Sequence, residues 1–306
     1  MRLPKRLRTS LESFRIPREQ LDRLEAEIVR LKESLGRIES RQCAMINAGD
    51  LTSNEFRVFS QWGEDGILQH LLRHVRIPRK AFVEIGVENY TECNSRFLLV
   101  TENWEGLVID GNLPFIEEIR RSPLSWQHSL RAAGALVTRE NVNSLIMENG
   151  FQGDIGLLSI DIDGNDYWVW ESLTAVNPAI VVMEYNHRFG KDRAVTIPYS
   201  PDFSRAKAHY SMIYFGASVK ALCQLGAKKG YVFVGCGSMG VNAFFVREDL
   251  MSEGLKVLTA EEGFVAGKFQ DSRDREGRLN FMSAEEEARL LATLPLVDVS
   301  SGKADE

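Results

Sequence analysis

The stretch LLSIDIDGNDYW at residues 157–168 crowds Asp161, Asp163, Asn165 and Asp166 behind the apolar run Leu157-Leu158-Ser159-Ile160. Carboxylates this close repel one another unless a cation or hydrogen-bond donors sit among them. A calcium loop of the EF-hand kind needs Gly at its sixth position, Glu at its twelfth and a helix in front. Counted from Asp161, those positions hold Asp166 and Ser172, and a strand-like run precedes them. An Asp-x-Asp pair, with Asp161 and Asp163 sent to one side of a strand end, is a second reading. It would hold a divalent cation against a sugar nucleotide in a metal-dependent glycosyltransferase. A third reading divides the cluster. Asp161 and Asp163 end a strand, and Asn165 or Asp166 caps the helix that follows.

Polar groups recur at the ends of the other apolar runs. AFVEIGV (81–87) brings Glu84 and Gly86, GLVIDGN (106–112) brings Asp110, and PAIVVMEYN (178–186) brings Glu184 and Asn186, with His187 next. In an open α/β sheet, ligands bind at the carboxyl ends of the strands. The first of these loops has one glycine where G-x-G-x-x-G has three, which disfavours NAD. Asp110 suits two ribose hydroxyls. An adenosine cofactor without a pyrophosphate needs fewer glycines, and S-adenosylmethionine fits that description. His187 stands where a general base could reach an acceptor hydroxyl. The insertion 187–216 carries His209, Tyr210, Arg188, Lys191, Arg193 and Arg205, which would line an acceptor pocket and suit an acidic acceptor, or else are solvated loop charges.

The elements that must position these residues alternate. Helices are expected at 59–75 (capped by Ser60), 93–100, 114–121, 140–149, 166–173 and 217–229, with a last one at 284–293. Strands are expected at 81–87, 106–112, 134–138, 156–163 and 178–186, then a hairpin of 231–236 and 241–246 across Gly-Ser-Met-Gly. Short apolar strands separated by helices imply a parallel sheet covered on both faces. With a closing hairpin, the expected fold is α/β and resembles the class I methyltransferase variant of the Rossmann fold: seven strands, mostly parallel, with an antiparallel hairpin at the end.

Before this domain, at 55–296, Leu21, Leu24, Ile28, Leu31, Leu35 and Ile38 are spaced 3, 4, 3, 4 and 3 residues apart. That is an a/d heptad seam over residues 19–41, fit to oligomerise or to pack on its own domain. Residues 42–56 read as a connector. Residues 1–18 form a basic flexible tail that could touch an anionic membrane surface weakly, and residues 297–306 a disordered tail. The net charge of −6 argues against nucleic acid as a partner. Four scattered cysteines give no zinc signature or disulfide framework. A cytoplasmic location is expected, with no transmembrane segment.

FSQWGEDGIL, FVEIGVENYTECNSRFLL, GLVIDGN, LLSIDIDGNDYWVWESL and GYVFVGCGSMGVNAFFV, in that order over residues 55–250, together resemble the FkbM-type methyltransferases. They are closest to the bacterial branch with the S-Q-x-G-E-D element, often encoded with surface-glycan genes. The resemblance implies S-adenosylmethionine-dependent methylation of a hydroxyl on a sugar, glycan or other small polar molecule. It puts Gln61, Glu84, Gly86, Asn94, Ser95, Asp110 and Asp161 at the cofactor. Glu64 and Asp65 either join them or only offset a helix dipole. A resemblance to cation-dependent O-methyltransferases implies Mg²⁺ held by Asp161 or Asp163 with Glu184 and Asn186. Asp161 and His187, by their places after the fourth and fifth strands, are the expected catalytic residues. Relatives often have Gly where this chain has Tyr90, and a loop needing φ > 0 there would strain a tyrosine. A catalytically inactive scaffold that oligomerises through the heptad helix is the remaining expectation.

Overall fold

The computed structural model describes residues 17–46 and 49–300. Nearly all of the basic tail lies outside these residues, as do the last six positions. The chain opens with helix α1 (Arg18–Ile46) and α2 (Glu64–His74), followed by β1 (Ala81–Ile85), α3 (Arg96–Glu102) and β2 (Glu105–Asp110). Next come α4 (Leu113–Arg121), β3 (Leu130–Gly134), α5 (Val142–Glu148), β4 (Gly153–Ile160), α6 (Asp166–Ser172) and β5 (Val176–Glu184). The chain then runs through β6 (Val195–Thr196), α7 (Val219–Lys228), β7 (Tyr231–Cys236), β8 (Asn242–Arg247), α8 (Ala284–Leu291) and β9 (Val297–Asp298).

Seven strands form one sheet in the order β3-β2-β1-β4-β5-β8-β7. β1 to β5 pair in parallel, and β8 runs antiparallel to both β5 and β7. This is the expected α/β, Rossmann-like sheet, mostly parallel with an antiparallel hairpin at one edge. The strand order reverses between β1 and β4, which is where an open α/β sheet binds ligands.

Period-2 alternation divides the core between the two faces. Val83, Ile85, Leu158, Ile160, Val181 and Met183 pack on one side with Trp168 and Trp170. Phe82, Val108, Leu157, Ile180 and Val182 pack on the other with Leu68, Leu71, Leu98 and Leu99. The same alternation sends Glu84 and Ser159, register partners in β1 and β4, toward the second face.

Several boundaries differ from the sequence expectation. α2 starts at Glu64, with Gly63 rather than Ser60 at its cap position. The third strand spans Leu130–Gly134 rather than 134–138. β2 ends at Asp110, paired with Gly134, and the Ala135 N–H bond to the Asp110 carbonyl is the last the ladder can offer. The fourth strand ends at Ile160, so Asp161 and Asp163 lie beyond it and no longer share a face by alternation. α1 continues through Ile46 instead of stopping before residue 42. Gly36 lies inside it, where a Cβ would sit 2.4 Å from Val58 Cγ2 and 2.8 Å from Phe97. It is the point where the helix rests on the domain. Finally, part of the segment expected to be a loose tail is strand: β9 pairs antiparallel with β6, and Val299 is buried in the main core.

Candidate active site

β1 delivers Glu84 to the interior, where its carboxylate has little choice of partner. It accepts the N–H groups of Asn94 (2.7 Å) and Ser95 (3.0 Å) and the Ser95 hydroxyl. Burial pushes its pKa up while these donors hold it down. Asn94 in turn donates its amide to Ser159 Oγ at 3.0 Å. Glu84 therefore fixes the turn into α3. Ser95 is fully buried, shares its hydroxyl between Glu84 and Tyr90, and does not line the cavity described below. Of the residues expected at a cofactor, Ser95 is the one the structure sets aside.

After β1 the chain turns sharply. Gly86 has φ +83°, and a Cβ there would lie 1.5 Å from the carbonyl oxygen of Asp161. The loops after β1 and β4 thus touch backbone to backbone, tied by Asp161 N–H to Ile85 O (3.0 Å), while Gly86 N–H bonds Ile109 O of β2 (2.9 Å). Tyr90 does adopt φ +62°. Its ring is 1% exposed and its hydroxyl lies 2.9 Å from Ser95 Oγ, so burial offsets the cost of the left-handed backbone.

The S-Q-x-G-E-D element is a set of staples. Asp65 Oδ2 accepts the N–H groups of Val58, Phe59 and Ser60 and the Ser60 hydroxyl, all within 2.9 Å. Burial nonetheless raises the Asp65 pKa. Glu64 accepts from Trp62 N–H and Gly63 N–H at 2.9 Å and from the Asn242 side chain at 2.9 Å, which ties the loop to β8. These two acids do more than offset a dipole. They hold Gln61 and Trp62 at the rim of a cavity.

That cavity, of about 590 Å³, lies at the carboxyl ends of β1, β2, β4 and β5. Asp110 ends β2 on one side of it. Its Oδ2 accepts from Val87 N–H (3.0 Å) and Glu88 N–H (2.8 Å), and its Oδ1 from Asn112 N–H alone (2.7 Å). Oδ1 therefore keeps acceptor capacity for a further hydroxyl. Gly111, Asn112, Phe115, Leu136 and Val137 continue the wall on that side. Trp62 and Phe269 stack at 6.4 Å with 18° between their planes, and both line the cavity.

The acidic cluster lies on the opposite side, and the structure redistributes its members. One carboxylate oxygen each from Asp161, Asp166 and Glu184 falls within 4.8 Å of the others. Burial, then Asp163 and Asp166, pushes Asp161 well above the ordinary range, and burial with Asp161 does the same to Glu184. Glu184 Oε2 is buried without a hydrogen-bond partner. Asp166, read from sequence only as a cap, joins this group. Burial raises it to about 6, and it braces the loop by accepting Ile162 N–H (2.8 Å) and Gly164 N–H (2.9 Å). Asn165 occupies the cap position of α6 without capping: its amide donates to Ser200 O at 2.7 Å and its Oδ1 is buried without a partner.

Asp163 goes elsewhere. Its backbone has φ +54°, and its carboxylate pairs with Arg205. Arg205 also binds Asp271 at 2.5 Å and lies 3.8 Å over the Phe215 ring. Asp271 is shared with Arg188, which in turn pairs with Glu287 at 2.9 Å. Asp271 and Phe269 come from a segment for which the sequence offered no signal.

Two expected site residues leave the cavity. Asn186 is fully buried. Its amide donates to Ile213 O (2.8 Å) and Phe215 O (3.0 Å), and its oxygen accepts from Arg188 N–H, so no ligand atom is left to face Asp161. His187 does not line the cavity. Its ring is covered by the backbone at Gly267, where a Cβ would come within 2.2 Å, and by Phe269 at 5.5 Å. Burial, with Arg188 beside it, lowers its pKa to about 4. An imidazole so covered is out of reach of an acceptor.

No family model and no curated protein matches this sequence. Solved structures do show distant likeness. The O-methyltransferase TomG from Streptomyces achromogenes, in complex with SAM, matches at 13% identity over 72% of this chain and 89% of that chain, with a TM-score of 0.38. An O-methyltransferase from Bacillus cereus in complex with SAH matches at 14% identity over 68% and 88%, with a TM-score of 0.37. The mitomycin 7-O-methyltransferase MmcR matches at 13% identity and a TM-score of 0.33 over 55% of this chain, which spans about half (48%) of that protein's length. Likenesses this distant leave the chemistry to be read from the site itself. Among the described residues, no helix is long and apolar enough to cross a membrane.

Proposed function

We propose that the protein is an S-adenosylmethionine-dependent O-methyltransferase acting on a hydroxyl of a small polar acceptor, a sugar or glycan in the reading the motifs favour. The observation that carries this is the placement of Asp110, at the end of β2, across a single cavity from Asp161 and Glu184, at the ends of β4 and β5. The residues fit the cofactor. The cavity's 590 Å³ falls within the usual range for ligand sites, and Asp110 Oδ1 can take a ribose hydroxyl. Eight acids and one cation, Arg205, line it, a field suited to a sulfonium and an ammonium group. Gly86 would let the backbone approach, and Leu136, Asn112 and Phe115 would flank the base. When bound, the cofactor supplies an activated methyl group on sulfur.

Asp161 and Glu184 stand where an acceptor hydroxyl would lose its proton, and they replace His187 in that role. Asp161, Asp166 and Glu184 form an all-oxygen set of the kind Mg²⁺ takes, and the partnerless Glu184 Oε2 supports that fit. A cation there would lower the pKa of the acceptor hydroxyl. The glycosyltransferase reading loses its footing, because Asp161 turns to Glu184 while Asp163 turns to Arg205.

Calorimetric titration with S-adenosylhomocysteine tests the reading. Binding that Asp110→Ala weakens is expected. No heat with the thioether, and binding of a uridine diphosphate sugar with Mn²⁺ instead, would overturn it. A Mg²⁺ titration in the same instrument tests the cation separately. Glu184→Gln should abolish cation binding and leave thioether binding in place.

A further inference from the structure

α1 has two faces that repeat every seven residues, and only one of them is covered. Val29, Gly36 and Cys43 lie on the covered face, where Val29 and Cys43 pack with Phe56, Val58, Phe59 and Phe97. Ser40 reinforces that face by donating to Gln69 Oε1 at 2.9 Å. At the α-helical pitch, the row Leu21, Leu24, Ile28, Leu31, Leu35 and Ile38 is centred about 120° away from it. Those six side chains are 43% to 62% exposed, and Met45 beyond them is 84% exposed. The row is about 26 Å long, and a continuous apolar stripe of that length on a surface marks an interaction site.

We propose that this face is covered by the same face of a second copy of the chain, forming a two-helix coiled coil at the centre of a homodimer. Leu and Ile occupy every core heptad position from Leu21 to Ile38, so the stripe is complementary to itself, as a two-fold interface requires. The flanking charges agree. Lys32 meets Glu27 of the other helix if the pair is parallel and Glu25 if it is antiparallel, and the described flanking residues bring no like charges together in either direction. The domains lie on the outer sides of the pair, because each helix rests on its own domain through its covered face. That anchoring also removes the weakness of a coiled coil shorter than three heptads, which is marginal when its helices must form alone. A lipid surface fits less well, since the acids Glu25, Glu27 and Glu39 flank the stripe against Lys32 and Arg41.

Sedimentation equilibrium of the full chain tests the proposal. The expected mass is twice the 34.6 kDa of one chain. Leu24→Glu with Leu31→Glu should raise the dissociation constant by at least about 100-fold, as losing central apolar anchors does. Arg23→Glu, off both faces, should leave the dimer intact. Leu24→Ala with Leu31→Ala keeps helix propensity and should weaken the dimer in the same direction, with an unchanged circular dichroism spectrum. A monomeric wild type at tens of micromolar, a dimer indifferent to these substitutions, or a monomer that sediments with anionic vesicles through this stripe would each overturn it.

Discussion

Asp65→Ala separates two accounts of the S-Q-x-G-E-D element by magnitude. If Asp65 only offset the dipole of α2, truncating it would cost about 0.3–1 kcal/mol. In the structure its Oδ2 is the acceptor for three backbone N–H groups, of Val58, Phe59 and Ser60, and for the Ser60 hydroxyl. A buried donor left without an acceptor costs about 1–3 kcal/mol. Three of them, eased by local relaxation and entering water, give an expected loss of about 4 kcal/mol. Asp65→Asn keeps an oxygen in place and should lose about half as much, since a neutral acceptor makes weaker bonds than a carboxylate. Urea unfolding measures both, with the denaturant slope unchanged. Hydrogen exchange adds a local readout, because the amides of Val58, Phe59 and Ser60 should exchange faster in Asp65→Ala under native conditions. The loop carries Gln61 and Trp62 to the cavity rim, so ligand affinity should fall with its order. A loss below about 1 kcal/mol, with those three amides still protected, would refute the reasoning.

Three further outcomes are expected. Gly86→Ala must place a methyl where the Asp161 carbonyl now stands and must hold φ +83°. The loss should be about 2–4 kcal/mol by urea unfolding, and thioether binding should disappear. Asp163→Asn removes one of two carboxylates on Arg205 while Asp271 remains. Asp163 is 55% exposed, so thermal unfolding should register no more than about 1 kcal/mol, and a much larger loss would contradict the shared-carboxylate geometry. His70 is buried beside His74 and Arg73, with Asp50 nearby, and burial lowers it from 6.5 to about 4. A base held neutral in the fold stabilises it above the unfolded pKa and loses that contribution as pH falls. His70→Gln should therefore flatten the pH dependence of stability between 6.5 and about 4, by up to about 3 kcal/mol. An unchanged slope would count against the shift.

The sheet was legible because four of its five parallel strands are short apolar runs that stop at a polar group near the strand end, the third being the exception. What could not be read was where a strand ends relative to its neighbour. β3 stops at Gly134 because β2 stops at Asp110, and nothing within GALVT records that. The site was half legible for the same reason. Asp110, Asp161 and Glu184 follow from strand position alone. Asn186 and His187 sit one and two residues past the expected tyrosine of MEYN, yet their directions are set by the carbonyls of Ile213 and Phe215 and by Gly267 and Phe269. Asp166 looked like a cap, since its position in α6 fits one. Its place beside Asp161 and Glu184 depends on the turn at Asp163, whose positive φ the sequence does not announce.

Charge joins these observations. The arginines of the insertion invited an acidic acceptor, but the structure uses them internally. Arg188 is held by Asp271 and Glu287, and Arg205 by Asp163 and Asp271. Neither Lys191 nor Arg193 lines the cavity. What faces the ligand is therefore a wall of carboxylates whose one cation is already paired. An acceptor carrying phosphate or carboxylate would find no unpaired cation among the described residues of that wall, whereas a neutral hydroxyl needs none. On the proposed function, positive charge would come from the sulfonium on the Asp110 side and from a divalent cation on the Asp161–Glu184 side. On this reading the chain of ion pairs from Asp163 to Glu287 serves the site indirectly. It holds the segment bearing Phe269 and Asp271 over the cavity, and it keeps two arginines from cancelling the charge that binding requires.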